Sequence, residues 1–374
     1  MRMQYLEYGK NGPKISRLGF GCMRLPTLHN DYNAVNYPAA TRILRAAMEA
    51  GVNFFDSHAT YHGSNSELAL GKALKGWKGP RICIQTKTPW YKDEPREYFE
   101  KLLYATLEKL GVDGIDYLFH HSLSMDVWRK RGRQFIAFTD WAMNRGLIHH
   151  RGFSSHDSGK NINQFIKTGE FDAMLVPHNW LNPVYVEQIA LAAERGMGVS
   201  VMNPVGGGFL AMNAPQVLNL LPGAKTAAEV GLRYALATPG VVAALSGMNA
   251  IAQVRENVAT ASRKTPLTAG ERQAMNSAMA RIEAQTKAFC SACGYCMPCP
   301  HGVDIPLNFR ALQRERFFGQ TKLAKLEYQS LKTDKSDTRA TRCKRCGKCE
   351  PKCPNQVPIV RQLREVAHTL ETSA

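Results

Sequence analysis

Short apolar runs rich in β-branched residues recur through the first part of the chain. They fall at Leu18–Cys22, Val52–Asp56, Ile82–Lys87, Ile115–His121, Ile148–Phe153, Ala173–Pro177, Val199–Met202 and Val241–Leu245. Between them lie stretches, such as Tyr98–Leu110 and Val184–Arg195, whose apolar residues repeat at helical spacing. Strands alternating with helices build right-handed βαβ units and hence a parallel sheet. Eight such units predict an α/β protein with a closed (β/α)8 TIM barrel rather than an open doubly wound sheet. Ahead of them, Gln4–Ile15, turning at Lys10-Asn11-Gly12-Pro13, predicts a β-hairpin that plugs the barrel floor. Behind them, Thr268–Gln285 predicts a helix outside the eight repeats.

The pattern changes near residue 285. Helical stretches at Leu307–Phe317 and Val360–Leu370 alternate with cysteine loops, and no strand pattern survives. Of the 10 cysteines, only Cys22 and Cys83 precede position 290, and both sit in strand-like runs as plain buried thiols. This predicts two domains: a barrel over residues 1–285 and a small α-helical ferredoxin-like module over 286–374. A module with so little core needs metal to hold it together.

Two arrays supply the ligands. The first is Cys290-x2-Cys293-x2-Cys296-x2-Cys299-Pro300, the second Cys343-x2-Cys346-x2-Cys349-x3-Cys353-Pro354. The second matches the bacterial ferredoxin pattern, and the first is one residue shorter before its last cysteine. Three closely spaced thiolates grip three corners of a cubane, and the cysteine ahead of proline reaches across to the other cluster. Cys290, Cys293, Cys296 and Cys353 are therefore expected to hold one [4Fe–4S] cluster, and Cys343, Cys346, Cys349 and Cys299 the other. Two zinc sites are the competing use of these thiols, but zinc ribbons pair two CxxC knuckles rather than placing four cysteines in one run.

The 374 residues suit a barrel plus an appendage, and a hydrophobic content of 44% with 21% charged residues excludes disorder. The first 25 residues lack the apolar core of a signal peptide, and no run is long enough to span a membrane. A cytoplasmic location, where thiols stay reduced, is expected. The formal net charge of +17 falls to about +13 with two clusters at about −2 each. The cations are scattered and no base-reading motif appears, so nucleic acid is not an expected partner. A basic surface suits an acidic redox partner or an anionic substrate.

Candidate chemistry gathers at strand ends, where such barrels place their active sites. Asp56 closes the second run, with Tyr61 in the next loop; Lys87 closes the third and His121 the fourth. His120, on the opposite side of a strand from His121, is expected to be a core histidine. Gly51-Val52-Asn53-Phe54-Phe55-Asp56-Ser57 through Tyr61, then Ser66-Glu67 and Leu70-Gly71, resembles the signature of the aldo-keto reductases. Thr86-Lys87, Asp113–His121, Gly152-Phe153-Ser154-Ser155 and Glu256-Asn257 continue the resemblance over roughly residues 15–260. With the cysteine module, the chain is similar to the subgroup that carries a C-terminal ferredoxin-type domain.

The resemblance implies an oxidoreductase that interconverts a carbonyl and an alcohol, with NAD(P)H as hydride carrier and clusters that transfer electrons or serve structure. Tyr61 is then the proton donor, and a free phenol's pKa near 10 is too high for exchange at neutral pH. Lys87 would favour the phenolate, Asp56 would hold Lys87, and His121 would hydrogen-bond the substrate oxygen. Ser154, Ser155, Asn203, Gly206, Gly247, Gln253 and Asn257 are the implied dinucleotide contacts. Gly206-Gly207-Gly208 offers backbone N–H groups to a pyrophosphate. His156, His178, Trp90, Tyr91 and Trp180 are candidate pocket residues.

The chain also departs from the family. Met202 stands where an aromatic ring often stacks on the nicotinamide. The family's glutamine near the end of strand six is missing from Met174-Leu175-Val176-Pro177-His178-Asn179. Two other functions remain open at this level. One is a lyase that uses the same Tyr, Lys and His without net redox change; the other is a non-catalytic redox-sensing subunit.

Overall fold

In a computed structural model, residues 2–29, 31–213, 215–283, 290, 294–334, 336–353 and 356–371 are described. The chain packs as two compact units, Met1–Pro204 with Leu232–Leu267, and Val205–Gly231 with Thr268–Ala374.

The first unit is a closed parallel barrel. A hairpin of β1 (Tyr5–Glu7) and β2 (Lys14–Ser16) precedes it. The barrel strands are β3 (Leu18–Gly21), β4 (Phe54–Asp56), β5 (Cys83–Thr88), β6 (Ile115–His120), β7 (Ile148–Ser154), β8 (Ala173–Pro177), β9 (Gly198–Met202) and β10 (Ala243–Ser246). Each pairs with the next, and β10 closes on β3, with Ala244 opposite Leu18. The eight expected strands are all present. Parallel strands covered on both faces bury most of their side chains, which is why most of them read as apolar runs, though His149, His150 and Arg151 of β7 are not buried. Cys22 falls in a short 3-10 turn just past β3, and both Cys22 and Cys83 are buried.

The floor is closed by the chain between β1 and β2, as expected. Tyr8 is fully buried among Ile15, Phe54, Cys83, Tyr117 and Leu245. Its hydroxyl meets Gln85 Oε1 at 3.0 Å and Ser200 Oγ at 2.7 Å, so the polar tip is satisfied inside an apolar plug. Helices lie between the strands. Helix Arg96–Leu110 ends at Gly111 in the left-handed region (φ 68°), a conformation that costs glycine little and other residues more.

In the second unit, helices Ile305–Phe318 and Ile359–Glu371 match the expected ones, and Thr321–Gln329 is a helix the pattern did not predict. Val303, Ile305, Phe309, Leu312, Tyr328, Leu363 and Val366 form its core, against which Cys290, Cys299, Cys343, Cys349 and Cys353 pack. Arg314 clamps Glu327 with two bonds of 2.7 Å, joining the first two helices. Phe209, from Val205–Gly231, packs on Phe318 at 5.2 Å. The expected helix Thr268–Gln285 is present as Ala269–Glu283. Among the described residues, no helix is long and apolar enough to cross a membrane.

Candidate active site

The barrel delivers four side chains to its C-terminal mouth. Asp56 ends β4, Lys87 is the penultimate residue of β5, His121 follows β6 directly, and Tyr61 lies in the loop after β4. Register explains the first pair: Asp56 lies opposite Gln85 across adjacent strands, which places Lys87 just beyond it. Asp56 and Lys87 are both buried. Lys87 Nζ donates to Asp56 Oδ1 at 2.6 Å, Asp56 Oδ2 at 2.7 Å and the Ser57 carbonyl at 2.7 Å. The ammonium has three protons and three acceptors, so its buried charge is both paired and fully hydrogen-bonded. Gln85 Nε2 donates to Asp56 Oδ1 at 2.7 Å. Burial raises the Asp56 carboxyl above its usual range, and Lys87 and Gln85 pull it back.

The Lys87 ammonium lies 5.3 Å from the centre of the Tyr61 ring. The Tyr61 and His121 rings stand edge to face, 6.5 Å apart. Tyr91 comes within 5.8 Å of His121. Burial, with His58 and Lys87 nearby, pushes the His121 imidazole well below its ordinary value and keeps it neutral. The mouth thus holds the fixed Lys87 cation, the Tyr61 phenol and the neutral His121 imidazole together.

Strand-end reasoning missed His58. It is fully buried and sits 5.1 Å from the Tyr61 ring and 4.1 Å from the His121 ring. A histidine two residues past a strand-end carboxylate was the available signal. His120 is buried edge-on to Phe135, with Nδ1 3.1 Å from the His121 carbonyl. His178 turns to Thr238 Oγ1 at 2.8 Å, and His156 lies close enough to depress His121 further. Trp90 is buried against Phe99 at 3.9 Å, while Tyr91 is exposed.

Six of the seven expected dinucleotide contacts lie in the barrel unit. Ser154 Oγ accepts from the Ser122 N–H at 2.9 Å, and the Ser155 hydroxyl donates to the Leu123 carbonyl at 2.7 Å, so both serve the backbone. Asn203 follows β9 with φ at 58°, and its carbonyl accepts from Asn179 at 3.0 Å. A Cβ built on Gly247 would meet Arg24 Cγ at 2.7 Å, so Arg24 lies directly over this glycine. Gln253 caps its helix from the Asn249 N–H at 2.8 Å, and the buried Asn257 donates to Ser246 at 3.1 Å. Gly206 lies in the second unit, within the 3-10 segment Gly206–Ala211. The aliphatic stem of Arg24 therefore covers Gly247 at the strand rim.

In the second unit, Cys299, Cys343, Cys346 and Cys349 line one cavity with Cys296. Cys343 Sγ accepts from the Arg345 N–H and Cys353 Sγ from the Val357 N–H, each at 3.4 Å. Soft thiols around one hollow, supported by N–H donors, are a donor set that fits an iron–sulfur cluster. Cys293 lies outside the described residues. Among the described residues, no three His, Cys, Asp or Glu side chains meet as a single-ion site.

Residues 17–220 match the model of the aldo/keto reductase family. The chain belongs to the aldo/keto reductase family. Residues 289–358 match a 4Fe-4S dicluster domain, so this family member carries a C-terminal iron–sulfur domain. Its curated relatives include L-galactose dehydrogenase of Arabidopsis thaliana, 26% identical over 69% of this chain and 88% of that protein. The NADH-specific methylglyoxal reductase of Escherichia coli is 23% identical over 69% of this chain and 93% of that protein. Among solved structures, the holo form of aldo-keto reductase AKR11C1 from Bacillus halodurans aligns with a TM-score of 0.64 at 27% identity. That alignment covers 74% of this chain and 96% of the other. The chain is an oxidoreductase of this family, built on its (β/α)8 barrel.

Proposed function

We propose that this aldo/keto reductase interconverts a small carbonyl compound and its alcohol, with Tyr61 giving and taking the proton. The observation that carries the reading is the buried Lys87 ammonium, pinned by Asp56 and the Ser57 carbonyl, 5.3 Å from the Tyr61 ring. A positive charge beside a phenol stabilises the phenolate and so eases proton release. Lys87 is fixed before any substrate arrives, so this stabilisation needs no reorganisation during the reaction. Neutral His121 hydrogen-bonds the substrate oxygen and orients it toward the Tyr61 hydroxyl. As negative charge grows on that oxygen, Tyr61 protonates it; in the reverse direction Tyr61 removes the proton.

Asn203, Gly247, Gln253 and Asn257 would hold NAD(P)H, which would supply the hydride. Two [4Fe–4S] clusters, in the ligand sets Cys290, Cys293, Cys296, Cys353 and Cys343, Cys346, Cys349, Cys299, supply one-electron capacity when bound. The exposed Cys346 is flanked by exposed Arg342, Lys344, Arg345, Lys348 and Lys352. Such a rim suits an acidic one-electron carrier protein, and the reduced thiols suit the cytoplasm.

Protein purified without oxygen, mixed with NADH or NADPH and a panel of small aldehydes, ketones and sugars, should consume the reduced nicotinamide. Failure with every carbonyl, together with no quenching of nicotinamide fluorescence, would overturn the reading.

A further inference from the structure

A chain of buried hydrogen bonds joins the barrel floor to the reacting centre. At its lower end Ser200 Oγ lies 2.7 Å from the Tyr8 hydroxyl, which lies 3.0 Å from Gln85 Oε1. At its upper end Gln85 Nε2 meets Asp56 Oδ1 at 2.7 Å, on the carboxylate that grips Lys87. Ser200, Tyr8, Gln85, Asp56 and Lys87 are all buried. The Tyr8 ring is held in place by Phe54 and Tyr117, with ring centres 5.1 and 4.8 Å away, and the Tyr117 hydroxyl donates to the Tyr8 carbonyl.

The direction of the chain follows from its charged end. A carboxylate only accepts, so Gln85 turns its amide N–H toward Asp56 and its carbonyl toward Tyr8. That carbonyl also only accepts, so the Tyr8 hydroxyl is the donor to it. Burial keeps the Tyr8 phenol protonated by raising its pKa well above the ordinary value. With the Tyr8 proton committed to Gln85, Ser200 donates to the Tyr8 oxygen. Reversing Gln85 would set its carbonyl against the carboxylate, in a place where water cannot relieve the conflict.

We propose that Gln85 and Tyr8 are positioning residues that set how much positive charge Lys87 presents to Tyr61. The Gln85 N–H offsets part of the negative charge on Asp56. Asp56 then neutralises Lys87 less completely, and more of the ammonium's field reaches the Tyr61 ring, whose centre is 5.3 Å away. Tyr8 acts one step removed, by holding the Gln85 amide in the donating direction. The proposal rests on the reading of Tyr61 as the proton donor.

The test is carbon NMR of the full-length holoprotein labelled at tyrosine Cζ, which follows the ionisation of each phenol without turnover. The Tyr61 signal is the one missing from Tyr61→Phe. Gln85→Leu, similar in size and unable to donate, is expected to raise the Tyr61 pKa by roughly half to one unit. Gln85→Met, which also lacks a donor, takes its place if the leucine variant does not fold. Tyr8→Phe is expected to raise the Tyr61 pKa by less, and the double variant by no more than Gln85→Leu alone, since Tyr8 acts through Gln85. A merely structural role would lower the urea midpoint of each variant and leave the Tyr61 titration in place. The pH profile of carbonyl reduction should move upward together with the phenol. An unchanged Tyr61 pKa in the Gln85 variant, or single-variant shifts that add in the double, would overturn the proposal. If the phenol titration moves while the pH profile of the reaction stays, Tyr61 is not the proton donor, and the fault lies in the functional reading instead.

Discussion

Lys87 Nζ touches both carboxylate oxygens of Asp56, at 2.6 and 2.7 Å, where neither side chain reaches water to any extent. A buried ion pair of this kind contributes little net stability compared with a well-packed apolar pair, because desolvation offsets the attraction. Its value lies in delivering a fixed positive charge to the barrel mouth. Breaking one side of it, however, leaves an uncompensated charge.

Asp56→Asn is therefore expected to destabilise the barrel by about 3–5 kcal/mol and to lower turnover. A urea titration followed by circular dichroism measures the first effect. An unchanged midpoint would mean that Lys87 finds another partner or loses its proton.

The buried histidines make stability depend on acid. Burial lowers His178 to about 4, and it is bonded to Thr238 at 2.8 Å. A folded-state value below the unfolded value means that the unfolded chain binds more protons between them. Stability from neutral His178 is thus fully present above about pH 6.5 and falls as pH drops toward 4. The stability gap between wild type and His178→Gln should narrow by about 1.4 kcal/mol per pH unit in that window. Urea midpoints of both proteins at several pH values test this; a gap constant with pH would refute it.

Cys346 is exposed, lines the cavity with Cys299, Cys343 and Cys349, and lies at the basic rim. Cys346→Ser is expected to lower iron from about eight to about four atoms per chain, and to loosen the second unit while the barrel stays folded. Iron counting after oxygen-free purification, with limited proteolysis, checks both parts. Full iron retention would remove Cys346 from the ligand set.

The sequence and the structure agree where short-range pattern carries the information. Most strand runs were legible because both faces are largely buried, so they are rich in apolar residues, as in Ala173–Pro177. Asp56, Lys87 and His121 were legible because they sit at the ends of those blocks. His58 was not, because its position depends on the packing of β4, the Tyr61 loop and the end of β6. Helix Thr321–Gln329 was missed because Leu323 and Leu326 face solvent while Ala324 and Tyr328 are buried, which blurs its apolar stripe. The grouping of Val205–Gly231 with the C-terminal unit arises from contacts such as Phe209 on Phe318, which no local pattern encodes. Ser154 and Ser155 match the family's motif, yet their hydroxyls bond the backbone around Ser122 and Leu123.

The most direct measurement is the rate of carbonyl reduction by Tyr61→Phe, run alongside a nicotinamide fluorescence titration of the same sample. With Tyr61 as proton donor, the rate should fall by roughly 10²- to 10⁴-fold while nicotinamide binding stays at the wild-type level. Turnover at the wild-type rate by the phenylalanine variant would contradict the account.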